Sequence, residues 1–101
     1  MAVYLINSYD IVDIEAFKAY GPKVFPILMK YGAEVLASDV EGVAIEGNPK
    51  RMNAIIRFPS EKDVWDCYND IEYQKYVRKL RIDSTKNTTM VMVKQFEILA
   101  K

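Results

Sequence analysis

The chain has 101 residues, half of them hydrophobic and 28% charged, with 14 Lys and Arg balanced against 14 Asp and Glu. That is enough for one core and one domain over residues 1–101, and the composition is that of a globular chain, not a disordered one. The even charge leaves no basic footprint for nucleic acid, and no segment approaches the ~20 apolar residues that span a bilayer.

There is no histidine. The commonest general base, the commonest zinc ligand and the usual proximal haem ligand are therefore missing, so no haem, zinc or non-haem iron site is expected and no cofactor is assigned. The single cysteine, Cys67, rules out an internal disulfide and fits a reducing compartment. The apolar start Ala2 to Ile6 lacks a basic flank and soon reaches Asp10, unlike a signal peptide, so a cytoplasmic location is expected.

Val3 to Tyr9 is rich in β-formers and predicts the first strand. Asp10 to Asp13 turns into a helix, either aspartate being a candidate cap. Ile14, Phe17, Gly21, Val24 and Leu28 recur at helical spacing, with Tyr20, Ile27 and Tyr31 along one flank. Pro22 and Pro26 each remove a helical donor, which predicts a kink or restart near Gly21-Pro22, and Gly32 closes the helix.

Ala33 to Ser38 reads as strand two, continued by Val43 to Glu46, with Gly47 to Arg51 as a polar hairpin loop. Ala54 to Phe58 is strand three, apolar on both faces apart from Arg57, and Pro59 stops it. Ser60 then caps a helix, with Asp63 in the reciprocal position and Trp65 as a large aromatic anchor. Asn69-Asp70 recaps a second helical segment with Tyr73, Val77, Leu80 and Ser84 inward and Arg81 at the edge of that stripe. Thr88 to Phe96 is strand four.

The order β-α-β-β-α-β is that of a ferredoxin-like α+β fold, with a four-stranded antiparallel sheet and both helices on one face. Strands one, three and four offer apolar side chains to both faces. Soluble monomers rarely leave such a face open, so a homodimer packed sheet to sheet is expected.

Tyr20, Tyr31-Gly32, Glu46-Gly47, Arg51, Phe58-Pro59-Ser60, Glu72-Tyr73 and Arg81 together resemble the pattern of domain of unknown function 1330, over almost the whole chain. The chain departs from it at Ala33, where a second glycine is usual, and at Ile14 and Phe17, where proline and tyrosine are usual. The resemblance implies a dimeric α+β barrel, in which two ferredoxin-like subunits pair their sheets. It implies no particular reaction. The same superfamily holds cofactor-free monooxygenases, isomerases of small cyclic acids, haem-binding enzymes and ligand-sensing domains.

Arg81 leads the candidate site residues, because a cation at the border of a buried stripe needs a counterion or an anionic ligand. The bland alternative is a salt bridge, with Glu46 as one partner. Glu46, before Gly47 at a strand end, is the one candidate base, weighed against a role as partner to Arg81 or Arg51. Tyr20 and Tyr73 are candidates to polarise a carbonyl or enolate, weighed against packing with a wet tip. Trp65 and Tyr68 are candidate walls of an aromatic pocket, weighed against core packing. Cys67 has no histidine to activate it and reads as inert. Asp10, Asp13 and Glu15 read as a solvated helix start, and Lys75, Arg78 and Lys79 as solvated charges.

Two readings follow. One is a cofactor-free enzyme on a small acidic or enolisable molecule, with Glu46, Tyr20 and Tyr73 catalytic and Arg81, Trp65 and Tyr68 binding substrate. The other is a binding or sensing module that uses the same pocket without turnover.

Overall fold

The computed structural model of the chain describes residues 1–97. Its four strands are β1 (Val3–Ile11), β2 (Glu34–Asp39), β3 (Met52–Phe58) and β4 (Thr85–Lys94). They form one antiparallel sheet in the order β2-β3-β1-β4, the ferredoxin-like arrangement. The helices α1 (Ile14–Phe17), α2 (Tyr20–Lys30), α3 (Glu61–Tyr68) and α4 (Arg78–Ser84) cover one face, and a π-helical turn, Tyr73–Val77, precedes α4.

β3 and β1 are the two inner strands, and every second residue of β1 faces the helices. Val3 is buried in the main core and Leu5 packs against it, while Asn7 and Tyr9 are also buried on the helix side. The first helical stretch breaks where backbone chemistry demands. Asp13 caps α1 by accepting from Ala16 N at 3.0 Å, and the chain restarts at Tyr20, which places Pro22 in the first turn of α2, where its missing N–H has no partner to lose. The restart therefore falls just before the predicted Gly21-Pro22 position. α2 ends in a Schellman motif, Ala33 N donating to Leu28 O and Gly32 N to Met29 O, with Gly32 at φ +75°.

Ser60 caps α3 as predicted: Asp63 N donates to its Oγ at 3.2 Å, and the hydroxyl donates in turn to Asp63 Oδ2 at 2.7 Å. The anchor residue is not the predicted one. Val64 and Cys67 are the buried pair of α3, while Trp65 is 52% exposed, because it lies one residue out of phase with that stripe.

After α3, buried Asp70 opens the next helical stretch by accepting from Tyr73 N at 3.0 Å. It also accepts from Tyr31 Oη at 2.7 Å and pairs with Lys30, tying the end of α2 to this start. The π turn then changes the phase of everything after it. A strict α-helical period puts Tyr73, Val77, Leu80 and Ser84 inward. The wider turn rotates the chain so that Tyr73, Val77, Arg81 and Ser84 are buried and Leu80 is only half-buried. Arg81 is thus fully inside, not at the edge.

Two further boundaries moved. β4 starts at Thr85, directly after α4, and ends at Lys94, leaving Phe96 exposed. Val43 to Glu46 form no strand. They belong to the loop between β2 and β3, which closes through Gly42 N donating to Arg51 O at 2.8 Å. A bulge at Leu36 shifts the β2–β3 register, so the edge strand ends before this loop.

The face away from the helices is open in the protomer. Register aligns Ala37, Ile55, Ile6 and Val91 in a row across all four strands, with Tyr4 paired to Val93 beside it. Among the described residues no helix is long and apolar enough to cross a membrane.

The Asp70 junction makes a pH prediction. The hydrogen bonds from Lys30 and Tyr31 hold its carboxyl down to about 2 despite its burial. A depressed carboxylate stabilises the fold above its unfolded pKa, and that contribution is lost as pH falls through the folded value. Thermal melts should therefore fall between about pH 4 and pH 2. Asp70→Asn should melt lower at pH 7 and lose most of this acid-limb dependence.

Candidate functional site

Between the helices and the covered face of the sheet lies a cavity of about 270 Å³. β1 contributes Leu5, Asn7 and Tyr9 to its wall; α1 and α2 bring Phe17, Tyr20, Val24 and Leu28; Tyr68 comes from the end of α3 and Tyr73 from the π turn. β3 closes the floor with Met52, Ala54, Ile56 and Phe58. No Asp, Glu, Lys or Arg is among the lining residues.

At one end of this cavity phenols gather around a cation. Tyr9 packs edge to face on Phe17 at 5.7 Å between centroids, and Phe17 packs on Tyr20 at 5.8 Å. The Tyr20 and Tyr73 hydroxyls are 3.3 Å apart, and Arg81 Nη2 donates to Tyr73 Oη at 3.4 Å. Arg81 Nη1 reaches Thr88 Oγ1 at 3.5 Å, and Nε has no partner. The guanidinium is only 2% exposed and makes no ion pair among the described residues.

Tyr73 Oη accepts from Arg81, and one of the two phenols donates to the other. Whichever way that bond runs, one phenolic O–H is left without a protein partner beside the cavity. Burial raises the pKa of Tyr9 to about 12 and raises that of Tyr20 further, with neighbouring phenols adding to the effect. Both stay protonated at neutral pH and act as donors. Burial works to lower the pKa of Arg81, but the Tyr73 and Tyr20 oxygens raise it overall, so the cation is retained. The arrangement suits an oxygen anion or a developing enolate.

A bulge supports this end. Asn87 adopts φ 58° and donates to Asp10 Oδ2 at 2.9 Å, shifting the β1–β4 register between Ser8 and Asp10. Thr88, beside that bulge, faces Arg81. Such bulges commonly redirect a side chain next to a site.

The structure brings Arg81, Tyr20, Tyr73 and Tyr68 to the cavity or the cluster behind it. It does not bring Glu46 or Trp65. Glu46 is exposed in the β2–β3 loop and pairs with neither Arg81 nor Arg51, whose partner is Glu41 at 4.0 Å. Trp65 faces outward from α3. Asn7 and Tyr9 went unnoticed as site residues. The available signal was their position two residues apart on the covered face of β1, with a polar amide where an apolar side chain fits better. Arg78, expected to be solvated, is half-buried with its Nε unpartnered. Among the described residues no three His, Cys, Asp or Glu side chains are grouped to hold a metal ion.

The fold and this site define a ferredoxin-like α+β protein with an apolar cavity under its helices. The chain belongs to the family described as domain of unknown function (DUF1330), whose model matches residues 2–96. Among solved structures it is similar to a protein of unknown function from Rhodopseudomonas palustris, at 16% identity and TM-score 0.81, over 96% of this chain and 84% of that one. A NIPSNAP-like domain protein from Burkholderia xenovorans matches at 11% identity and TM-score 0.65, over 99% and 90% of the two chains. A dimeric protein of unknown function with a ferredoxin-like fold from Bacteroides fragilis matches at 13% and 0.59, over 93% and 96%. At these identities the likeness carries the fold and no activity. Comparison with curated proteins finds no match.

Cys67 also lines the cavity, but burial pushes its thiol up to about 11. It should react with a thiol-specific disulfide reagent at pH 8 only on unfolding, and fast modification of the native protein would contradict the inert reading.

Proposed function

We propose that the chain binds a small organic acid in this cavity, with Arg81 supplying the positive charge and Tyr20 and Tyr73 presenting it. One observation carries the reading: a guanidinium 2% exposed, without a carboxylate among the described residues and with Nε unpartnered. A buried charge is costly unless paired, and an anion in the cavity would compensate it through the Tyr73 and Tyr20 hydroxyls that stand between them. The long contacts of 3.3–3.5 Å between these groups leave room to tighten around a ligand oxygen. The residues lining the wall make the rest of the ligand apolar.

A second reading, a cofactor-free enzyme acting on an enolisable acid, is favoured by the same donors, since they would hold an enolate as well as a carboxylate. It needs a base, and the cavity wall has no carboxylate. Glu46 would have to come from the β2–β3 loop, so binding without turnover is the better-supported function. A cytoplasmic setting with no nucleic-acid partner belongs to the same proposal.

The protein is also proposed to be a homodimer. The open sheet face carries Ile6, Ile55, Val91 and Val93, and the β2–β3 loop adds Val43 and Ile45, the latter 93% exposed. A second copy covering this face would bury more than roughly 2,000 Å² in total, as obligate pairs do. Sedimentation velocity at micromolar concentration should give one species of twice the chain mass, and a stable monomer would overturn the idea.

The binding proposal is tested by thermal shift and calorimetry with simple carboxylates such as benzoate and phenylacetate. Arg81→Met should weaken binding by about 1.5–3 kcal/mol, roughly tenfold to a hundredfold. Its melting temperature should hold or rise, because replacing a buried charge by an apolar chain of similar length is often neutral or stabilising. Lys79→Ala, on the exposed side of α4, should change neither. Equal losses in the two variants, or no carboxylate that binds the wild type, would end the proposal.

A further inference from the structure

Asn7 is the least expected residue in the cavity wall. It sits mid-strand in β1, paired with Ala54 on one side and Met90 on the other, with Leu5 and Tyr9 as its neighbours on the same face. The residue is only 8% exposed, and its Oδ1 has no hydrogen-bond partner. Asparagine is a poor strand former, and a buried amide oxygen without a donor costs free energy that a valine or leucine would not. Nothing in the fold offsets these costs, because the side chain neither caps a turn nor joins another strand. The second cost disappears if the carboxamide turns its oxygen to the cavity and a ligand supplies the donor.

We infer that Asn7 is a recognition residue for a hydroxyl or N–H group on the ligand, which makes the ligand a hydroxy- or amino-substituted monocyclic acid. The inference rests on the acid-binding reading of the cavity and adds the second polar group. Size agrees with it. A cavity of about 150 Å³ accepts benzene, so by the same scale a cavity of about 270 Å³ holds about ten non-hydrogen atoms. A ring with one carboxylate and one hydroxyl has that size. The two polar points of the site differ in kind: the phenol end has a free O–H to donate, and the Asn7 carboxamide, whose oxygen and nitrogen exchange places on a half-turn about its terminal torsion, can turn its acceptor to a ligand hydroxyl. An unsubstituted aromatic acid satisfies the first end and leaves the second orphaned, and sites built this way discriminate strongly against the analogue that lacks the group.

The test compares the three hydroxybenzoate isomers with the three methylbenzoates, which fill the same space without donating. Calorimetry on the wild-type protein should show one hydroxy isomer binding about tenfold or more tighter than its methyl counterpart. In Asn7→Leu that preference should vanish or invert while methylbenzoate binding is kept. The ligand-free variant should also melt higher, by about 4–8 °C, as expected when an orphaned amide leaves an apolar wall. Asn7→Val serves as the second variant if leucine does not fold. Hydroxy and methyl isomers binding the wild type equally would overturn this inference and leave the acid-binding reading standing, as would a preference that survives in both variants. If no member of either series binds, the acid-binding reading falls and this inference falls with it.

Discussion

A guanidinium group held inside the protein among phenols, with no carboxylate beside it in the described residues, is the constraint on which the site depends. Desolvating a cation is expensive, and phenol oxygens compensate far less than a carboxylate does. A carboxylate partner would neutralise Arg81 and consume its donors. Tyrosines instead pass its polarisation along the chain from Arg81 to Tyr73 to Tyr20 and leave one hydroxyl proton over at the cavity. Burial raises the pKa of Tyr9 and Tyr20 above the ordinary phenol value, which extends the range over which both remain donors. The result is an electropositive end to an otherwise apolar space.

Two departures from regular secondary structure converge on that end. The π turn Tyr73–Val77 rotates α4 until Arg81 points inward, and the β1–β4 bulge at Asn87 sets Thr88 opposite it. Each gives up ideal backbone geometry, and each lies next to the same side chain. Asn7, at another point of the wall, gives up packing quality in the same way. Local rules of this kind are expected to fail at functional or strained sites, and here several fail around one cavity.

The fold itself is silent about chemistry. Ferredoxin-like sheets host many unrelated activities, and relatives at 11–16% identity share the layout of strands and helices alone. With all its helices on one face, the sheet has two distinct surfaces. The covered one holds the cavity, and the open one carries the apolar row Ala37, Ile55, Ile6 and Val91. The cavity and the open apolar face are thereby separated by the thickness of one strand layer, and β1 contributes to both through its alternating side chains.

The order of strands and helices, the Ser60 cap, the stop at Pro59 and the Gly32 termination were all legible in the sequence, because each follows from local backbone chemistry or from a period of two or 3.6. The residue types and spacing also singled out Arg81, Tyr20 and Tyr73, and the structure places the three side chains together. The expected position of Arg81 at the edge of its helix was not correct, because no proline or glycine announces the π turn that moves it inside. Glu46 and Trp65 looked plausible by neighbouring residues alone, yet the length of the β2–β3 loop and the phase of α3 carry both away from the cavity. Asn7 is flanked across the sheet by Ala54 and Met90, both far from it in sequence. Sequence by itself determined which segments pair and where helices start and stop. Only the tertiary structure decided which polar side chains are buried without partners, since that depends on groups far apart in the chain meeting, as Tyr20 meets Tyr73 fifty-three residues on, or failing to meet, as at Asn7.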